Sequence, residues 1–279
     1  MARVDRYAVV GKPIAHSRSP EIHKLFAQAT QQVITYERLE GPLDGFEEFA
    51  LGLRDSGYLG LNVTIPFKLD ACKLADSLTA RARLAGAVNT LKFDEDTILG
   101  ENTDGIGFVR DIGGRLGFKV TNAAILVLGA GGGVRGLIAS LLEERPKWIA
   151  VANRTHNRAQ ELADEFGVEA IRLDEIPAEH FDLIVNGTSS SLNQDAPAID
   201  PETFDDCALA YDLVYAPEPT PFMRLAQKGG ARAVADGLGM LIEQAAESFL
   251  FWRGVRPDTA PVYRELRRLL EQSRTSTAT

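Results

Sequence analysis

Short apolar runs alternate with stretches of helical periodicity along the chain. Tyr7 to Val10, Val33 to Leu39 and Leu59 to Ile65 read as strands, with helix-like segments at Pro20 to Ala29 and Phe46 to Arg54 between them. Such alternation builds βαβ units and a largely parallel sheet. The rhythm then changes. Ala87 to Phe93 and Thr97 to Glu101 flank the acidic turn Asp94, Glu95, Asp96, so a hairpin is expected ahead of a helical stretch from Gly105 to Leu116. A second series follows, with strands at Ile125 to Leu128, Trp148 to Ala152, Phe181 to Asn186 and Leu209 to Leu213 and helices at Val134 to Glu144 and Arg158 to Phe166. This order is that of a Rossmann-type domain. After Gly239 the pattern is helical, with Val262, Leu266, Leu269 and Leu270 on one face and Arg264, Arg267 and Arg268 opposite. Ser273 to Thr279 reads as a disordered polar tail.

The fold class expected is therefore α/β, two α/β domains flanking a cleft. The first, residues 1–104, carries a mostly parallel sheet; residues 105–238 form the Rossmann domain; the helices of residues 239–279 pack back on the first domain. A length of 279 residues suits two cores. Composition adds limits: 45% hydrophobic and 25% charged residues describe a packed chain rather than a disordered one. With a net charge of -9 and no stripe of Lys and Arg, neither nucleic acid nor an anionic membrane is an expected partner. No apolar run approaches the roughly 20 residues that cross a bilayer, and no signal-peptide core follows the charged start, so a soluble cytoplasmic protein is expected. Cys72 and Cys207 fit neither a disulfide framework nor a zinc site and read as buried free thiols. No metal is expected.

The stretch ILVLGAGGGVRG puts Gly129, Ala130, Gly131, Gly132 and Gly133 between a strand and a helix, where backbone amides and the helix dipole can hold a pyrophosphate. The literal G-x-G-x-x-G falls on Gly131, Gly133 and Gly136. Because the strand ends at Leu128, Gly129 and Gly131 are the better candidates for the tight turn and the phosphate approach, with Val134 in the third glycine's place. An NAD site would end the second strand with an acidic residue. Here Asn153, Arg154 and Thr155 stand instead, and Arg154, with Arg158 nearby, suits the 2′-phosphate of NADP.

In the first domain, NVTIPFK ends a strand: Pro66 stops the ladder, and Thr64 and Lys68 lie at the carboxyl edge where ligands of open α/β sheets bind. Ser17 and Ser19 follow the first strand and can grip a carboxylate, although Ser19 before Pro20 also fits a helix cap. Asn89 sits within an apolar strand, and Asp104 begins a helix, where a plain N-cap is the rival reading. Gln244 lies in a mostly apolar helix, and its buried amide needs partners. His16 and His23 read as structural.

Taken in order, SRSP (17–20), NVTIPFK (62–68), AGAVNT (85–90), NTDG (102–105), GAGGG (129–133), NRT (153–155), YDLVY (211–215) and DGLGMLIEQA (236–245) resemble the shikimate dehydrogenases, from about residue 7 to residue 270. The resemblance implies reversible NADPH-dependent reduction of 3-dehydroshikimate to shikimate, a step of aromatic amino acid synthesis. It implies that Ser17, Ser19, Thr64, Asn89, Tyr215 and Gln244 bind substrate and that Lys68 and Asp104 serve the reacting hydroxyl. Gly129 to Gly133, Asn153, Arg154, Thr155, Arg158, Thr188, Leu213 and Gly237 would line the NADP site. Residues 1–104 become the substrate domain and residues 105–238 the NADP domain. One departure is visible: NGTSSSL at residues 186–192 replaces an NATSxG-like loop.

Three alternatives stand beside this reading. One is a shikimate/quinate dehydrogenase using NAD as well, and another is a non-catalytic NADP-binding regulator. The third, a fragment of a bifunctional enzyme, is disfavoured because both ends look like natural termini. A monomer or a homodimer is expected.

Overall fold

The computed structural model of the protein describes residues 4–277 apart from Asp96, Ala178 and Ser189, and the side chains of these except Leu192 and residues 273–277. The chain forms two compact units: residues up to Gly107 with Ile242–Arg264, and Phe108–Leu241 with the residues from Glu265 onward.

The first unit opens with β1 (Asp5–Gly11), α1 (Ser19–Ala29), β2 (Ile34–Glu40), α2 (Phe46–Asp55) and β3 (Tyr58–Val63). It continues through α3 (Lys68–Leu74), β4 (Ser77–Leu78), α4 (Ala80–Ala85), β5 (Thr90–Asp94) and β6 (Thr97–Glu101) to the first turn of α5 (Asp104–Arg110). Its six strands lie in the order β2-β1-β3-β5-β6-β4. The pairs β1–β2, β1–β3 and β4–β6 are parallel, whereas β3–β5 and the hairpin β5–β6 are antiparallel, so the sheet is mixed with parallel pairing in the majority. The hairpin's turn residue Asp96 lies outside the described residues. The core gathers Ala8 and Val10 of β1, Leu61 and Val63 of β3, and Phe46, Phe67 and Leu91.

After a π-helical turn at Asp111–Arg115 come β7 (Ala124–Leu128), α6 (Gly132–Glu143), β8 (Trp148–Asn153), α7 (His156–Phe166), β9 (Glu169–Arg172) and β10 (Leu183–Asn186). Then follow β11 (Leu209–Asp212), α8 (Pro221–Lys228), β12 (Val234–Ala235), α9 (Leu238–Arg253) and α10 (Ala260–Thr277). The second sheet is parallel throughout, in the order β12-β11-β10-β7-β8-β9, the doubly wound arrangement expected of the second series. All five residues of β7 are buried because the sheet is covered on both faces. Ile125 and Val127 join one apolar cluster and Leu126 and Leu128 the other. Each such side chain contributes about 1.5–3 kcal/mol by leaving water.

Several expectations need correction. β3 stops at Val63 rather than Ile65, and Lys68 starts a helix. α3, β4, α4, β9, α8 and β12 were not expected; most are too short to show a period. The helix α10 reaches Thr277 where a disordered tail over Ser273 to Thr279 was expected, residues 278 and 279 lying outside the described residues. Arg267, opposite the apolar face as expected, bonds Asp236 (2.5 Å) and the Ala216 carbonyl (3.3 Å). Cys72 is only half-buried, while Cys207 is buried. No described helix is long and apolar enough to cross a membrane.

Candidate active site

The first unit brings residues from four segments onto one hydrogen-bonded cluster. Pro66 cannot donate to a ladder, so the chain leaves β3; Phe67 then buries its ring on Phe46, 5.1 Å between centroids. That anchor sets Lys68 as the first residue of α3. The Lys68 carbonyl accepts the Val88 N–H (3.0 Å), which draws the following Asn89 alongside. Asn89 lies one residue ahead of β5, not within a strand, yet it is bonded on both sides: its N–H donates to Glu101 (3.1 Å) and its carbonyl accepts from Val63 (2.8 Å).

Lys68 Nζ donates to Asp104 Oδ2 at 2.6 Å, and Asn89 Nδ2 donates to Asp104 Oδ1 at 2.9 Å. Asp104 heads α5, and its carboxylate engages these two side chains. It is thus a paired, largely sequestered anion, its side chain 11% exposed against 19% for that of Lys68. Asn89 has a set orientation, because its Oδ1 accepts from the Thr103 N–H (2.8 Å) and from Thr90 (3.0 Å). Its amide nitrogen therefore also faces Gln244 Oε1 (3.3 Å). Gln244 can come this close because Gly107 has no side chain: a Cβ there would lie 2.6 Å from the Gln244 nitrogen.

Lys68, Asn89, Asp104 and Gln244 thus form one cluster. Ser17 and Ser19 form a second group, their hydroxyls 3.2 Å apart. Ser19 makes no side-chain cap on α1, so the capping alternative for it does not hold. Thr64 packs its methyl where a Gly11 side chain would otherwise be, and its N–H bonds Val10 (2.9 Å). Tyr215 belongs to the second unit, in the half-buried loop after β11.

Residues that motif reading missed complete the first unit's network. Asn62 Nδ2 donates to Ser248 (2.9 Å), Thr90 (3.0 Å) and the Asn89 carbonyl (3.2 Å), and Tyr36 donates to Asn62 Oδ1 (2.7 Å). Ser248 had a signal, since it stands one helical turn after Gln244 on α9. Tyr36 had none.

His16 is exposed, while His23 is buried, with both ring nitrogens lacking a hydrogen-bond partner. Desolvation lowers the His23 pKa to about 3, the Asn62 amide beside it opposing the shift. Below pH about 6.5 the unfolded chain takes up a proton that the folded protein refuses, so stability falls as pH drops from there toward 3. That loss approaches about 1.4 kcal/mol per pH unit. His23→Phe keeps an aromatic ring and should flatten this acid limb. Urea unfolding at pH 7 and pH 5 checks it: equal losses in variant and parent would exclude His23 as the group.

The second unit assembles the other candidates at the carboxyl ends of its strands. Gly129 follows β7 with φ +104°, and a Cβ would sit 2.9 Å from the Gly187 carbonyl, so only glycine suits both the conformation and the approach. A Cβ at Gly131, Gly132 or Gly133 would meet no atom of the surrounding chain within 4 Å, so the backbone at the start of α6 is uncovered on that side. An uncovered glycine turn at a helix N-terminus fits a dinucleotide pyrophosphate. Ala130 is half-buried beside it. Asn153 ends β8 and donates to the Thr155 carbonyl (2.9 Å), while Arg154, Thr155 and Arg158 are exposed. No carboxylate stands among these residues, and cationic side chains do, which fits a 2′-phosphate.

Thr188 is tied to Asn186 Oδ1 through its N–H (3.1 Å) and hydroxyl (2.7 Å). A Cβ at Gly187 would meet Val134 at 2.5 Å, so the glycine of NGTSSSL matches a tightly packed loop. Its Ser191 donates to buried Asp212 (2.6 Å), while Ser189 and the Leu192 side chain lie outside the described residues. Burial pushes the Asp212 carboxyl up, opposed by bonds from Ser191 and Thr220. Leu213 touches the space beside Gly187, and a Cβ on Gly237 would strike the Leu213 carbonyl at 2.1 Å. The glycine turn, Thr188, Leu213 and Gly237 are therefore linked by close approach.

Together, the parallel doubly wound sheet with its glycine turn and the separate unit with a Lys–Asp pair define a dinucleotide-binding α/β oxidoreductase class. Residues 9–91 match the shikimate dehydrogenase substrate binding domain, residues 113–200 the shikimate/quinate 5-dehydrogenase family and residues 237–267 the shikimate 5′-dehydrogenase C-terminal domain. The chain is 51% identical to the shikimate dehydrogenase (NADP(+)) of Janthinobacterium sp. (strain Marseille), with 95% of this chain and 98% of the relative covered. A crystal structure of shikimate 5-dehydrogenase from Thermus thermophilus with NADP(H) and shikimate superposes with a TM-score of 0.87 at 36% identity, covering 95% and 99% of the two chains. The Ael1 enzyme of Pseudomonas putida gives a TM-score of 0.88 at 48% identity, covering 94% and 98%. The chain belongs to the shikimate dehydrogenase family.

Proposed function

We propose that the protein is a cytoplasmic NADP-dependent shikimate dehydrogenase, reversibly reducing 3-dehydroshikimate to shikimate in aromatic amino acid synthesis. The observation that carries this reading is the 2.6 Å Lys68–Asp104 pair, held by Asn89 and largely withdrawn from water. NADP(H), when bound, supplies or accepts the hydride. Its binding falls to residues 105–238, the pyrophosphate on Gly129, Ala130, Gly131, Gly132 and Gly133 and the 2′-phosphate on Arg154 and Arg158 with Asn153 and Thr155. Thr188, Leu213 and Gly237 flank it.

Residues 1–104 hold the substrate, with the helices of residues 239–279 contributing Gln244. Ser17 and Ser19 take the carboxylate; Thr64, Asn89, Tyr215 and Gln244 take ring hydroxyls. In the reducing direction, negative charge grows on the carbonyl oxygen, and the Lys68 ammonium gives it a proton. In the oxidising direction the Lys68 amine accepts the hydroxyl proton. Asp104 accepts a hydrogen bond from the same hydroxyl, orients it, and balances the lysine's charge. The small-molecule substrate thus meets a donor and an acceptor already set, which costs no reorganisation at the moment of reaction.

A non-catalytic regulator would not need this pair. The dual-cofactor quinate reading is not favoured, since relatives near 50% identity carry the NADP(+) name. Following nicotinamide absorbance with shikimate or quinate, each with NADP or NAD, tests the proposal. With shikimate, NADP should exceed NAD by at least about tenfold, the worth of one charge-assisted contact to the 2′-phosphate, and with either cofactor shikimate should exceed quinate. Absent shikimate-dependent NADPH formation would refute the assignment.

A further inference from the structure

Strand β2 carries no expected site residue, yet one of its faces touches both halves of the first unit's polar apparatus. Residues two apart on a strand share a face. Tyr36 and Arg38 do so here, and both reach toward the serine turn. Arg38 Nε donates to the Ser17 carbonyl (2.6 Å), and its guanidinium also pairs with Glu21 of α1 (2.7 Å). Burial raises the Tyr36 phenol's pKa, and the Ser19 side chain beside it opposes that rise. On its other side the phenol donates to Asn62 Oδ1 at 2.7 Å.

The direction of that phenol is set by its ring. His23 stacks on it at 4.1 Å with an interplanar angle of 8°, and Trp252 closes on it at 6.3 Å. The Asn62 amide is in turn oriented by the phenol: with Oδ1 taken, Nδ2 faces Asn89, Thr90 and Ser248. From Asn89 the next bond is to Asp104.

We propose that Tyr36 is a positioning residue that spaces the Ser17–Ser19 pair relative to the Asn89–Asp104 cluster, so that one end of the substrate is gripped at a set distance from the other. A carboxylate-bearing ring needs its anionic end and its reacting hydroxyl held at once; an anchor remote from the reacting atoms binds ground state and transition state alike, so loosening it raises KM with little change in kcat. This inference rests on the shikimate reading above.

Tyr36→Phe keeps the ring and its stack on His23 and deletes only the hydroxyl. KM for shikimate should rise three- to tenfold, the range of one to two lost neutral hydrogen bonds, with kcat within about twofold and KM for NADP unchanged. With shikimate methyl ester, whose carboxyl end is uncharged, parent and variant should differ by less than about twofold. An equal penalty on acid and ester, or no change in KM for shikimate, overturns the proposal. Should Tyr36→Phe fail to fold, Arg38→Met, which releases the Ser17 carbonyl from the same strand face, must show the same acid-selective rise in KM or the proposal falls. A parent protein inactive with shikimate would instead refute the underlying function, so the two failures are distinguishable.

Discussion

Replacing Lys68 by Ala should lower kcat by about 100- to 10,000-fold while KM for shikimate moves only a few-fold, the range that a positioned proton donor contributes. The reason lies in what Lys68 touches. Its ammonium meets Asp104 at 2.6 Å, and its side chain is mostly withdrawn from solvent, so bulk water is a poor substitute donor at that point. In the proposed function, binding of the rest of the ring is assigned to other groups, Ser17, Ser19 and Gln244, which the substitution leaves in place. Steady-state rates in both directions, with cofactor binding measured by fluorescence as a control, decide it. Turnover equal to the parent's in correctly folded Lys68→Ala would remove the lysine from the mechanism.

Asp104→Ala should lower both kcat and substrate affinity, each by about ten- to a hundredfold, because a hydrogen bond to a charged group is worth roughly 1.5–3 kcal/mol. Two groups each lose one acceptor at once, since Asp104 Oδ2 accepts from Lys68 and Oδ1 from Asn89. The double variant Lys68→Ala with Asp104→Ala should then be little worse in kcat than Lys68→Ala alone, because residues acting as a unit are not additive. Multiplicative losses would mean that the two side chains act on separate steps.

Legibility differed from residue to residue. The NADP-side candidates were readable because their meaning is local: a strand, a glycine turn and a helix follow one another without interruption, and the chemistry of that turn depends on backbone geometry that glycine alone permits. Gly129 shows this, with its positive φ and its close approach to Gly187. Asp104 was ambiguous, because heading a helix and bonding a lysine need the same residue at the same place. Only the 2.6 Å contact separates them. The short elements α3, β4 and α4 left no period to read, although α3 is what aims Lys68. Tyr36 and Asn62 stayed silent, since a tyrosine within a strand looks the same whether its hydroxyl meets water or a buried amide.

What the order of residues settled alone was the set of chemical groups and the two-part α/β plan, because hydrophobic period and turn chemistry act over neighbours in the chain. Family resemblance narrowed the reaction further. What only the tertiary structure decided was adjacency: Lys68 with Asp104, Asn89 with Gln244, and Tyr36 with Asn62 are separated by 36, 155 and 26 positions. Such contacts follow from how strands order within a sheet and helices settle on it, a sum of many weak burial energies that no local stretch encodes.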